Sequence, residues 1–114
     1  MEIHFRNRKT AKQFDLGAQL EKIHGPKRGK IIRHRLRILR NAPNLAFFWP
    51  PKTGPERCHE LTADKKGKFS MDLDHPYRLI FEPAHDPVPR LDDGGIGRRA
   101  ITEIIILGVE DTHE

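Results

Sequence analysis

A chain of 114 residues with 36% hydrophobic and 32% charged side chains can build one compact core and little more. No run approaches the roughly 18 apolar residues of a membrane span, and Met1–Arg6 has no signal-peptide apolar region, so a soluble cytoplasmic protein is expected. Cys58 is the single cysteine, which excludes an intrachain disulfide, and the net charge of +5 is unevenly spread. Residues 1–40 carry 12 Lys/Arg against 3 Asp/Glu, whereas residues 41–114 carry 9 against 13. A basic first third suits a polyanion or an acidic partner, or is simply a solvated helix face.

Taken in chain order, Glu2–Phe5 alternates and predicts a short strand. Lys9–His24 predicts a helix with Phe14, Leu20 and Ile23 on one face and Gly17 weakening its middle. Gly25-Pro26 breaks it, and Pro26 opens a second helix reaching Arg40. There Ile32, Leu36 and Leu39 form an apolar stripe, and Lys30, Arg33, Arg37 and Arg40 form a basic one at i, i+3, i+7 and i+10. Leu45–Trp49 is apolar and aromatic, and the prolines and glycine of 50–55 predict a loop.

The second half predicts an antiparallel sheet. Arg57–Leu61 is its first strand, followed by an Asp64–Gly67 turn. Lys68–Leu73 should turn Phe69, Met71 and Leu73 inward and Ser70 and Asp72 outward. After Asp74-His75-Pro76, Tyr77–Glu82 alternates again, with Arg78, Ile80 and Glu82 opposite Tyr77, Leu79 and Phe81. Residues 83–101 have almost no periodicity and predict a long mobile or functional loop. Thr102–Val109 is a dense apolar run and must be a buried strand, which would hold Asp111 and His113 beside the core. A single domain, 1–114, is expected.

The residues with chemistry lie on this sheet half. His59 is flanked by Cys58 and Glu60; Lys65, Lys66 and Lys68 surround the turn that follows; Arg78 is mid-strand; Asp111 and His113 follow the last strand. Side by side, these strands could bring all five regions to one concave face. RNA cleavage through the 2′-hydroxyl needs such a set: a base, an acid and fixed cations for the phosphorane. Histidine suits the proton transfers and arginine the phosphate oxygens.

Arg57-Cys58-His59-Glu60-Leu61, Asp64-Lys65-Lys66-Gly67-Lys68-Phe69-Ser70, Tyr77-Arg78-Leu79-Ile80-Phe81-Glu82-Pro83 and Glu110-Asp111-Thr112-His113 resemble the RelE/HigB toxin superfamily, most closely its HigB-type plasmid maintenance killer branch. The resemblance implies an α+β, microbial-ribonuclease-like fold with two N-terminal helices on a twisted antiparallel sheet. It also implies a ribosome-dependent, metal-independent endoribonuclease that cuts mRNA without a cofactor, and a HigA-type helix-turn-helix antitoxin as partner, with operator DNA reached only through that complex. By position, His59, Arg78, Asp111 and His113 correspond to catalytic residues. Lys65, Lys66 and Lys68, with the Lys30, Arg33, Arg37 and Arg40 stripe, would meet RNA. The sequence departs from the pattern at Thr62, where a lysine is usual, and at Thr112, where a tyrosine is usual.

Each residue also has a plainer reading. His59 and His113 can be ordinary surface histidines, Arg78 a cross-strand partner of Asp72, and Cys58 a structural core residue. Seven scattered histidines without a paired-ligand spacing give no metal site. A second functional reading is a toxin-fold protein that binds RNA, the ribosome or an antitoxin without cleaving, motivated by Thr62 and Thr112. A third is a small basic interaction module.

Overall fold

The computed structural model describes residues 1–15 and 19–111. It is an α+β arrangement in which one five-stranded sheet carries its helices against one face. The strands are β1 (Glu2–Phe5), β2 (His59–Glu60), β3 (Phe69–Asp72), β4 (Tyr77–Pro83) and β5 (Glu103–Asp111), in the order β1-β5-β4-β3-β2. The sheet is mixed rather than purely antiparallel, because β1 runs parallel to β5, with Glu2 beside Glu103 and Phe5 beside Ile106. A parallel pair needs a long crossover, and everything between β1 and β5 supplies it.

Among the described residues, three helices stand where two were expected: α1 (Arg8–Gln13), α2 (Gln19–His24) and α3 (Pro26–Asn41). Asn7 starts α1, its Oδ1 accepting from Thr10 N at 2.8 Å and Thr10 Oγ1 at 2.9 Å. The expected Lys9–His24 helix is split, since Phe14 ends α1 and buries its ring between Phe5 and His24. His24 Nε2 donates to the Gln13 carbonyl at 2.9 Å and fastens α2 to the end of α1.

Helix α3 begins as its sequence indicates, with Gly25 at φ 85 and Pro26 at the first turn. Ile32, Leu36 and Leu39 are buried against Phe69, Met71, Leu79, Phe81, Ile104 and Ile106 of the sheet. Each such buried side chain contributes about 1.5–3 kcal/mol relative to exposure. Gly29 marks a close approach: a Cβ there would lie 2.9 Å from Glu21 Cγ and 3.0 Å from Glu21 Cα, so only glycine lets α2 and α3 pack at this distance. At the far end, the Met1 ammonium donates to the carbonyls of Leu39, Arg40 and Ala42, a positive charge on the negative end of α3.

Two arginines tie α3 to the sheet. Arg28 grips Asp74 with two hydrogen bonds, 2.8 and 3.2 Å, and lies 3.6 Å from the Tyr77 ring centroid. Arg35 is buried and donates to the Asp72 carbonyl at 2.8 Å.

Several local expectations are corrected. Only His59–Glu60 of the Arg57–Leu61 segment pairs as a strand, because Arg57 takes φ 46 and kinks the chain ahead of it. Ser70 lies on the face opposite Phe69 and Met71, as its alternation predicts, but is fully buried there. The stretch 83–101 is not structureless. Arg90 and Ile96 form a bridge around a Leu91–Gly94 turn, Ile96 and Ile101 join the core, and Leu45 N bonds the Ile101 carbonyl.

Among the described residues, no helix is long and apolar enough to cross a membrane.

Candidate functional site

Among the described residues, the buried helix side chains cluster with Phe69, Met71, Leu79, Phe81, Ile104 and Ile106 on one face of the sheet, and Ile80 on the other face is not part of that cluster. Cross-strand partners share a face, so the register Asp72↔Arg78↔Glu110 and His59↔Ser70↔Ile80↔Gly108 defines two rows on this open side. Ile80 and Ser70 are fully buried, and Arg78 stands at the margin, about one-third exposed.

Along the β2 edge of this face runs a groove of about 680 Å³. His59, Lys65 and Arg78 line it together with Trp49, Lys52 and Arg98. Four cations (Lys52, Lys65, Arg78, Arg98) face two carboxylates (Glu60, Asp64), so the wall is net positive. The 3-10 turn Leu45–Phe48 buries Leu45 and Phe48 and delivers Trp49 to the rim; the short helical turn Arg98–Ala100 delivers Arg98.

The kink at Arg57 gives His59 a defined state. Its Nδ1 lies 2.7 Å from the Arg57 carbonyl oxygen, and a carbonyl can only accept, so Nδ1 carries the proton. In the neutral ring, Nε2 then holds the lone pair a general base requires. Cys58 points the other way: it is buried, and burial pushes its thiol pKa up to about 12, so it is no nucleophile. Glu60 accepts from Gly67 N at 3.0 Å and fixes the turn, where Gly67 has φ 94.

Two groove cations have acidic neighbours. Lys65 Nζ is 3.1 Å from Glu110, and both side chains are about half exposed. Such a pair is worth about 0–1 kcal/mol and exchanges readily for another anion. Arg78 Nε is 3.4 Å from Asp72 Oδ1, an ionic contact without hydrogen-bond geometry, and Asp72 Oδ2 is 3.3 Å from Arg57. The cross-strand reading of Arg78 with Asp72 is therefore present.

The other sequence candidates lie elsewhere. Lys66 and Lys68 follow the same turn but do not line the groove. Asp111 stands across from Tyr77, and the residue across from Arg78 is Glu110. The reason is a bulge in β5: Phe81 pairs with Ile106 and Ile80 with Gly108, leaving Leu107 extra and inverting the alternation after it. Gly108 accepts φ 145 at this point. His113 lies outside the described residues.

The α3 stripe is a separate surface. Arg33 is held by Glu21 through two hydrogen bonds, which raise the pKa of Arg33 and hold the Glu21 carboxyl below its ordinary value. Lys30, Arg37 and Arg40 are exposed, and Arg33, Leu36, Arg37 and Arg40 outline a depression of about 200 Å³.

At the opposite edge of the open face, Glu2, His4 and Glu103 bring ligand atoms within 4.8 Å of one another, a set able to hold a divalent cation. His4 already bonds Glu103 at 2.9 Å, and that bond holds the carboxyl below its usual range.

Trp49, Lys52, Arg98 and Glu110 were not singled out by sequence reasoning. The available signal was a tryptophan opening a Pro-Pro loop, where a core residue has no place. Compared with known proteins, the chain matches no family model and no curated protein.

Proposed function

We propose that the groove is the working site of a metal-independent endoribonuclease, and that the protein is a RelE/HigB-like toxin acting on ribosome-bound mRNA. The observation that supports this reading is the gathering of His59, Lys65 and Arg78 around one groove that also holds Lys52 and Arg98.

His59 Nε2 would take the 2′-hydroxyl proton, while its Nδ1–H stays anchored on the Arg57 carbonyl. The freed 2′ oxygen attacks phosphorus, the bond to the 5′ oxygen breaks, and an acid returns a proton to that oxygen. His113, assigned by the resemblance, is the proposed acid. Arg78, Arg98 and Lys65 would neutralise the phosphorane; the planar fork of arginine suits a pair of phosphate oxygens. The exposed Lys30, Arg37 and Arg40 would approach ribosomal RNA or an acidic segment of a helix-turn-helix antitoxin.

Expression of the wild type and of a His59→Ala/His113→Ala double variant in bacteria tests this reading. Growth arrest with new mRNA 5′ ends is expected only from the wild type. Equal growth and intact mRNA from both would end it.

The pairing of Arg78 with Asp72 and of Lys65 with Glu110 favours a second reading, an RNA- or ribosome-binding protein that does not cleave. In that case translation slows without new 5′ ends, and loss of the α3 stripe matters more than loss of His59.

A further inference from the structure

We infer that Trp49 is a base-stacking platform, so that the groove selects single-stranded RNA with an unstacked base next to the phosphate held by the cations. This rests on the RNA reading of the groove and adds the residue that would read the strand's bases.

Three features of Trp49 carry the inference. Its side chain belongs to a large apolar residue left 60% exposed, on the rim of a groove rather than on a convex surface. Its backbone is fixed, since Trp49 N bonds the Ala46 carbonyl at 3.1 Å and the turn before it is anchored by buried Leu45 and Phe48. Its ring is flanked by Arg98, whose guanidinium carbon is 5.0 Å from the indole centroid and 5.1 Å from that of buried Phe69. Arg98 thus links the indole to the core through a cation–π contact and keeps its own charge in the groove.

A planar ring held among cations matches the alternation of base and phosphate in a single strand. Single-strand binding sites combine these same two elements, stacking rings and a basic track. A duplex offers no free base face, and an acidic peptide would use the cations but not the ring. The equally exposed Phe47 does not extend the platform; it lines a different depression with His34, Arg37 and Ile38.

The chain contains one tryptophan, so red-edge excited indole fluorescence reports Trp49 alone. The full chain carrying His59→Ala, to prevent turnover, is titrated with a short single-stranded RNA, the same strand made abasic, an RNA duplex and an oligoglutamate peptide, with anisotropy of labelled ligand as an independent measure of binding. Quenching by the base-bearing single strand alone is expected. A further Trp49→Ala change should weaken that strand by about 5- to 150-fold, leave the abasic strand unchanged, and be rescued by Trp49→Phe. Binding of the single strand without quenching, or equal quenching by the abasic strand or the peptide, would overturn the platform while leaving the groove an RNA site. No binding of any RNA by anisotropy would overturn the RNA reading itself, and the platform with it.

Discussion

The α3 stripe and the groove are both basic, and they are built in opposite ways. The α3 stripe comes from one regular helix: Lys30, Arg33, Arg37 and Arg40 repeat on one face, and Arg33 is engaged by Glu21. The groove draws Trp49, Lys52, His59, Lys65, Arg78 and Arg98 from five separate segments, and joins cations to an aromatic ring and to a histidine of defined tautomer. Charge alone steers a polyanion, and only the groove adds groups able to orient it and move a proton.

The sharpest way to separate the regions is catalytic. If the proposed function holds, His59→Ala should lower cleavage of ribosome-bound mRNA by roughly 10²–10⁴-fold, the range for loss of a general base. Arg37→Ala with Arg40→Ala should leave the rate of cleavage at saturating ribosome-bound mRNA unchanged and only weaken ribosome binding, with a flatter salt dependence. A single-turnover assay of both variants decides this. Equal losses would erase the distinction.

The next effect concerns the frame that holds both regions. Arg28→Ala removes two charge-assisted hydrogen bonds and the contact with Tyr77, and should cost about 1.5–3 kcal/mol by denaturant unfolding. The hydrogen bond from Arg28 holds the Asp74 carboxyl below its ordinary value. A depressed carboxylate contributes stability above its unfolded pKa and loses it as pH falls through the folded value. The wild type should therefore lose more stability on acidification than Arg28→Ala does, as unfolding midpoints at neutral and acid pH would reveal.

Gly29→Ala would break the helical region alone. Its Cβ meets the Glu21 backbone at 3.0 Å, so the α2–α3 packing must give, at about 1–3 kcal/mol. His59-dependent cleavage by the remaining folded protein should be unchanged. The smallest effect is expected from Glu110→Gln, which frees Lys65 and should tighten RNA binding a few-fold, in keeping with an exposed pair worth about 0–1 kcal/mol. Weaker binding would show that Glu110 positions Lys65 rather than competing for it.

Much of this frame was legible from residues. The apolar spacing of Ile32, Leu36 and Leu39, the Gly25-Pro26 break and the alternation of Tyr77–Glu82 each mark an element the structure contains. The single long helix failed at Phe14, whose burial between Phe5 and His24 is a tertiary preference that periodicity cannot express. The mixed sheet was missed because Glu2–Phe5 carries no local sign of its partner. His59, Lys65 and Arg78 were legible as candidates through their strand neighbours. Trp49, Lys52 and Arg98 were not, because they come from aperiodic segments that only the folded chain brings together.

Leu107 works as a phase shifter in β5. Upstream of it, one parity of residues closes the core and the other lines the open face; downstream, the parities are exchanged. The half of the strand that stabilises the molecule is thereby uncoupled from the half that borders the groove. Ile104 and Ile106 can answer to packing alone, while Glu110 answers to Arg78 and Lys65. One continuous strand can thus carry two independently adjustable addresses, at the cost of a single unpaired residue.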